Sequence, residues 1–184
     1  MLEIKGYTLT CCDNWFQIVP YEYKAIKYLE IGALSGTNVV HVANSYCMHP
    51  DSRIYVIDPW IDYSKYTDYK GEHNTIYDDF KSNMENNKLN DKVIVKRGFS
   101  YDMLQTLEEN YFDIIYIDGN HASEYVIEDA VLSFRKLKNG GMLIFDDYQC
   151  DDVKKGVHGF IECYSSKIDK KITMSKNQVF IKKL

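Results

Sequence analysis

Three carboxylates and one imidazole carry the strongest chemical signal in the chain. Asp118 closes the apolar run Ile114-Ile-Tyr-Ile117, and Asp146 and Asp147 close the run Leu143-Ile-Phe145. Carboxylates gathered in one place repel one another and resist burial. A hard divalent cation resolves that repulsion, and Mg2+ prefers oxygen ligands while keeping positions for water or substrate oxygens. The alternative is a solvated turn at Asp146 and Asp147 and a helix cap at Asp118. His121 stands three residues past Asp118. Its imidazole can take a proton near neutral pH, or it is a surface histidine bonded to backbone. His158 reads as structural or as part of a rim, and His41 and His73 as helix-surface residues.

A second stretch reads as a ligand cradle. Tyr28-Leu-Glu-Ile-Gly-Ala-Leu-Ser-Gly36 is an apolar run ending in an acid and a glycine-spaced turn, and a helical segment follows. Backbone N–H groups at such a helix start favour a polar or anionic group, and glycines allow close approach to the backbone. The spacing Gly32-x-x-x-Gly36 is neither the dinucleotide fingerprint nor a P-loop, and glycines serving only a strand-to-helix turn remain an alternative. Asp58, before Pro59 and Trp60, is the type of acid that accepts from ribose hydroxyls once a glycine loop holds the rest of a ligand; otherwise it opens a turn. Ser100 and Tyr101 can flank a purine ring, and Ser100 can equally serve as an N-cap.

These residues need a scaffold that brings strand ends together. Hydrophobic periodicity predicts strands at 25–31, 53–57, 92–96, 112–117 and 142–145. Helices are expected at 36–47, 72–87, 101–110, 123–137 and 152–166, with Asn139-Gly140-Gly141 stopping the fourth as glycine commonly does. Segments 171–174 and 178–183 read as an antiparallel hairpin. Residues 61–71, with Tyr63, Tyr66 and Tyr69, form a surface loop, and 1–24 a lead-in or cap packed on the sheet. Alternating strands and helices with near-continuous apolar strands imply a parallel sheet covered on both faces. Right-handed crossovers then give a doubly wound three-layer sandwich, with ligands at the carboxyl ends of the strands. Strands one, four and five become neighbours, so Asp118 and the Asp146–Asp147 pair can meet.

Composition narrows the partners. The 184 residues fit one domain, 1–184, and the net charge of −5 argues against a nucleic-acid backbone. No apolar run reaches transmembrane length, and the opening residues do not read as a signal peptide. Five cysteines without a C-x-x-C pair read as reduced intracellular thiols, which points to the cytoplasm.

The pieces Glu30-Ile-Gly-Ala-Leu-Ser-Gly36, Tyr55-Val-Ile-Asp58, Arg97-Gly-Phe-Ser100, Phe112-Asp-Ile-Ile-Tyr-Ile-Asp-Gly-Asn-His121 and Leu137-Lys-Asn-Gly-Gly-Met-Leu-Ile-Phe-Asp-Asp-Tyr148 together resemble a class I S-adenosylmethionine (SAM)-dependent methyltransferase. Within that class they resemble methyltransferase family 24 and the metal-dependent sugar O-methyltransferases of macrolide and aminocoumarin glycosides. Catechol and caffeoyl-CoA O-methyltransferases are more distant. The resemblance implies an α/β, three-layer Rossmann-like methyltransferase fold, with a mostly parallel seven-stranded sheet and a C-terminal antiparallel hairpin. It implies a SAM site formed by Glu30, Gly32, Ala33, Ser35, Gly36, Asp58, Pro59, Trp60, Gly98, Phe99, Ser100, Tyr101 and Asp118. The adenine would lie near Phe99 to Tyr101.

The same resemblance implies Mg2+ or another divalent cation on Asp118, Asp146 and Asp147. The cation would orient two oxygens of a vicinal diol on a small-molecule acceptor, with a sugar hydroxyl the leading candidate. Catechol-type enzymes carry a lysine base three residues past the first metal aspartate; His121 stands there instead, so His121 with Asp118 forms the catalytic pair to test. The long N-terminal helical region of many relatives has no counterpart, which leaves residues 1–24, the tyrosine loop or a second subunit to cover the substrate. Three other readings stay open: a nicotinamide-dependent oxidoreductase, a metal-independent methyltransferase, and a non-catalytic SAM-binding module.

Overall fold

A computed structural model describes residues 2–8, 12, 13 and 15–184. Five of its seven strands follow the parallel alternation expected from the sequence. They are β1 (Lys27–Ile31), β2 (Arg53–Asp58), β3 (Val93–Arg97), β4 (Phe112–Ile117) and β5 (Leu137–Phe145). The helices are α1 (Thr37–Ala43), α2 (His73–Asn86), α3 (Ser100–Met103), α4 (Ser123–Lys136) and α5 (Asp151–Tyr164). The chain ends in β6 (Thr173–Ser175) and β7 (Gln178–Lys182). The sheet order is β3-β2-β1-β4-β5-β7-β6, with β7 antiparallel to both of its neighbours.

Period-2 alternation along the strands divides the core in two. Tyr28, Ile54, Val56, Ile114, Tyr116 and Ile144 face α1, α2 and the lead-in segment. Leu29, Ile57, Ile115, Ile117, Leu143 and Phe145 face α4 and α5. Such two-sided burial explains why β1 and β4 read as continuous apolar runs. The edge strand β3 instead buries only Val93, and its other residues are half-exposed or exposed. Described residues of the lead-in, Cys12, Trp15 and Val19, pack on the sheet as expected. Trp15, in a short 3-10 turn, is fully buried against Tyr28, Tyr46 and Tyr116 and donates its indole N–H to Gln178. No helix among the described residues is long and apolar enough to cross a membrane.

Two expectations need correction. Asn139, Gly140 and Gly141 do not end α4; the helix stops at Lys136 and the chain enters β5 at once at Leu137. Leu137 is fully buried and pairs with Phe112, while the next β4–β5 pair joins Ile114 to Met142. The intervening residues therefore form a bulge. The end of α4 is satisfied from afar, because the Lys183 ammonium donates to the carbonyls of Phe134 and Leu137. Tertiary packing here overrides a strong local glycine signal. The helix expected at 101–110 is also shorter, with α3 passing into a 3-10 turn at Leu104–Thr106 whose Leu104 is fully buried.

Candidate active site

Register builds the site. β1 pairs with β4 at Ile31–Ile117, and β4 with β5 at Ile117–Phe145. The next residues along are Gly32, Asp118 and Asp146, and two bonds carry the row onward: Asp118 N–H to the Ile31 carbonyl (2.9 Å) and Asp146 N–H to the Ile117 carbonyl (3.0 Å). A cavity of about 470 Å³ opens above this row. Its walls include Glu30, Gly32, Ala33, Ser35, Asp58, Pro59, Phe99, Ser100, Tyr101, Asp118, His121, Asp146 and Asp147.

Three other residues expected to touch a cofactor do not line this cavity. Trp60 is fully buried between Tyr77 and Phe80 and donates to the Leu34 carbonyl, so it braces the glycine loop from behind. Gly36 takes a left-handed backbone (φ +78°) as the residue before α1, and a Cβ there would lie 2.7 Å from Phe80. That glycine serves the turn and the packing of α2. Gly98 lies against Met103. Ser100 is the first residue of α3, and Phe99 holds the N-cap position.

Asp58 organises the loop. Its carboxylate accepts from the N–H groups of Ala33, Leu34 and Trp60 at 3.0, 3.1 and 2.9 Å. Burial raises its pKa while those three donors oppose the rise. A carboxylate offers about four acceptor sites, so one remains for a ligand. Glu30 is also buried, accepting from Tyr28 (2.6 Å) and Asn38 (2.9 Å).

Asp118, Asp146 and Asp147 share the cavity, and His121 joins Asp118 and Asp147 in a tight cluster. His121 Nε2 lies 3.6 Å from Asp118 Oδ1 and 3.2 Å from Asp147 Oδ2. Donor atoms of Asp118, His121 and Asp147 all fall within 4.8 Å of one another. Two ligands at right angles about a cation, each ~2.1 Å from it, would stand ~3 Å apart, so this set fits a metal. Asp146 lines the same cavity, but its carboxylate accepts from the Tyr116 hydroxyl. Asp147 carries a left-handed backbone (φ +51°), uncommon outside glycine. Burial pushes the Asp118 carboxyl up to about 7; the His121 imidazole beside it opposes this and the charges of Asp146 and Asp147 add to it. The neighbouring Asp118 carboxylate raises the pKa of His121.

The cover comes from two directions. The Tyr7 carbonyl accepts from the hydroxyls of Ser35 and Thr37, and the Tyr7 ring meets Tyr69 edge-on, with centroids 4.9 Å apart. The rings of Tyr63 and Tyr66 stack at 5.7 Å, and Asn120 donates to the Tyr63 hydroxyl. Tyr7, Tyr63, Tyr66 and Tyr69 all line the cavity. Sequence reasoning missed several polar residues of the wall, His73 and Asp129 among them. His73, expected on a surface, is only 7% exposed, and Asp129 of α4 is only 2% exposed. His158 is exposed and bonds the Tyr148 hydroxyl at 2.7 Å, in keeping with a structural role.

Buried acids have a measurable consequence. Burial pushes Glu30 up to about 8 and Asp129 up to about 7, well above the 4.5 and 3.8 of exposed carboxyls. Between those limits the folded state holds protons that the unfolded state has released. Stability is therefore full below about pH 4 for these groups and falls as pH rises toward 8, by at most about 1.4 kcal/mol per unit for each. Urea titrations of the ligand-free protein from pH 5 to 8 should show that decline, and Glu30→Gln should make it shallower by the share that Glu30 contributes.

Comparisons with known proteins agree with this geometry. A family model, the methyltransferase domain of family 24, matches residues 29–148. Uncharacterized protein R132 of Acanthamoeba polyphaga mimivirus is 43% identical over 60 residues, a match covering 30% of this chain and only 26% of that protein. An O-methyltransferase from Bacillus cereus, solved with S-adenosylhomocysteine (SAH), superimposes with a TM-score of 0.66 at 20% identity, covering 87% of this chain and 74% of that one. The O-methyltransferase TomG of Streptomyces achromogenes, involved in tomaymycin synthesis and solved with SAM, gives 0.66 at 16% identity over 86% and 73%. The O-methyltransferase NovP gives 0.68 at 18% identity over 86% and 72%. These structures share the seven-stranded fold, and the family match covers both the glycine loop and the acidic cluster. The chain belongs to the family 24 methyltransferase domain, within the class I SAM-dependent methyltransferases.

Proposed function

We propose that the protein is an O-methyltransferase acting on a hydroxyl of a small molecule, with a divalent cation orienting the acceptor. The observation that carries this reading is the sharing of one cavity by the glycine loop and the Asp118–His121–Asp147 cluster. SAM, when bound, supplies a methyl group made electrophilic by a sulfonium. A divalent cation, when bound, lowers the pKa of a coordinated alcohol.

The chain's own residues do the rest. Backbone of residues 32–35 and the remaining acceptor site of Asp58 would hold the sugar of the nucleoside. Phe99, Ser100 and Tyr101 would flank its base. Asp118 and Asp147 would hold the cation, and His121, whose Nε2 lies within 3.6 Å of both carboxylates, would take the acceptor's proton. Tyr63, Tyr66 and Tyr69 offer ring faces to an acceptor and keep water from it. Aromatic faces beside a diol-binding metal suit a sugar or glycoside, the leading acceptor class. In this proposal one domain spans residues 1–184, the protein forms a homodimer, and it works in the cytoplasm. Cys12, Cys47, Cys150 and Cys163 are free thiols, in keeping with that compartment.

The test is thermal stabilisation by SAH, NAD+, Mg2+ and Mn2+ separately, then transfer of labelled methyl from SAM to a panel of glycosides and catechols. Stabilisation by SAH and by a metal, with EDTA-sensitive transfer, is the expected result. Stabilisation by NAD+ alone would overturn the reading, and transfer that survives EDTA would remove the metal from it. His121→Ala should abolish transfer yet keep metal binding; loss of both would make His121 a ligand.

A further inference from the structure

We infer that residues 62–71 form a strap latched across the cavity by Asn120, and that this latch sets the rate at which a bound nucleoside leaves. The inference rests on the SAM reading above for its ligand and adds a positioning residue to it. Asp62 closes the neck of the strap, since its two carboxylate oxygens accept from the Gly71 N–H at 2.9 and 3.1 Å. The far end reaches the loop after β4. Asn120 donates from Nδ2 to the Tyr63 hydroxyl (3.2 Å) and to the Lys65 carbonyl (3.3 Å). Its Oδ1 accepts at 2.9 Å from the Ala122 N–H, which can only donate and so turns the amide N–H groups toward the strap. The Lys65 ammonium adds a contact to α4, 5.7 Å from the centre of the Tyr125 ring. Tyr63, Lys65, Asn120 and Tyr125 all line the cavity, so these contacts join two of its walls.

Little else holds the strap. It contains no helix or strand, and Ser64, Lys65, Thr67, Asp68 and Lys70 are exposed. Its other anchors are ring edges, Tyr63 on Phe99 at 5.1 Å and Tyr69 on Tyr7 at 4.9 Å. Segments with few buried apolar contacts open locally at low free energy. The neck is a charge-assisted bond, stronger than the neutral bonds at the far end. The far end therefore releases first, and the strap swings about Asp62 and Gly71. Water largely replaces a bond lost there, which keeps release within reach of turnover. Loops that close over a site in this way commonly limit product release. Asn120 stands between Asp118 and His121, so the turn that carries the acidic cluster also carries the latch.

The test measures SAH association and dissociation on the full chain by surface plasmon resonance, with amide hydrogen exchange of residues 62–71 in the ligand-free protein. Asn120→Ser removes both donations to the strap, while its shorter hydroxyl can still accept from the Ala122 N–H. Tyr63→Phe removes one acceptor on the strap and leaves the loop after β4 untouched. SAH dissociation should quicken by about fivefold in Tyr63→Phe and about twentyfold in Asn120→Ser, for one and two lost hydrogen bonds, and exchange of 62–71 should rise in the same order. Dissociation within about twofold of wild type in both variants would overturn the latch and leave the SAM reading intact. Slower association with unchanged dissociation would show a merely structural residue and overturn the latch as well. A wild type that binds no SAH would overturn the SAM reading, and exchange of 62–71 that is the same in all three proteins would overturn the latch independently of it.

Discussion

Asp118→Ala is expected to lower methyl transfer by at least about 10³-fold, equivalent to about 4 kcal/mol of lost transition-state stabilisation. The same change should weaken Mg2+ or Mn2+ binding, followed by calorimetry, by about 100-fold or more, while the ligand-free protein stays folded. The argument starts from position. Asp118 follows the central strand β4, with Gly32 of the β1 loop on one side and Asp146 after β5 on the other. It shares His121 with Asp147 and has Asp146 and Asp147 as like-charged neighbours. Burial, with the charges of Asp146 and Asp147 adding to it and His121 opposing it, pushes its carboxyl up to about 7, so holding it ionised is unfavourable without a cation. A metal must displace any proton there, and in exchange relieves the repulsion among the three acids. Removing the carboxyl therefore removes a ligand and also an energetic burden. The ligand-free variant should melt at the same temperature as the wild type or higher at pH 8, the familiar opposition between stability and function. Transfer within tenfold of wild type would overturn the metal-assisted mechanism.

The acids of this cluster were visible in the sequence because each closes an apolar strand. Strand ends in a doubly wound sheet converge by topology, so a linear pattern becomes a spatial one. β1, β2 and β4 were legible for the same reason, since burial on both faces leaves long apolar runs. What the sequence hid depends on contacts between distant segments. Trp60 sits beside Asp58 in the chain, but its ring turns into the core between Tyr77 and Phe80. The Asp146 carboxylate accepts from the Tyr116 hydroxyl, and the His121 imidazole turns to both Asp118 and Asp147. No spacing rule foretells either orientation. The early start of β5 rests on a carbonyl cap delivered by Lys183, some forty-six residues from Leu137.

Two polar wall residues did leave a trace. His73 lies on the stripe of Ile76, Phe80 and Met84, all buried on α2. Asp129 lies on the stripe of Val126, Ala130 and Ser133, all buried on α4. A charged or titratable residue on an apolar stripe is costly unless something pairs with it. Here that something is the cavity, and the misplaced polarity was the available signal. The rule complements the strand-end rule, because it finds wall residues supplied by helices.

Gly32→Ala is expected to destabilise the fold by about 2–5 kcal/mol, a large share of the ~5–15 kcal/mol that holds a typical domain together. Two separate penalties combine. Gly32 has φ +82°, a left-handed backbone that costs other L-residues about 1–2 kcal/mol. Its Cβ would also lie only 1.9 Å from the Asp118 carbonyl oxygen, which is backbone and cannot rotate away. The β1 and β4 loops must then separate, and overpacking of this kind typically costs about 1–3 kcal/mol more. Gly140→Ala isolates the first penalty, because Gly140 shares the left-handed backbone (φ +79°) but a Cβ there meets nothing within 4 Å. Urea denaturation of both variants should show a loss of about 1–2 kcal/mol at Gly140 and at least twice that at Gly32. Equal losses would mean that the approach of the two loops is slack. Such slack would matter for function as well as stability, since the contact between Gly32 and Asp118 sets the distance between the cofactor loop and the carboxylate on which the proposed chemistry depends.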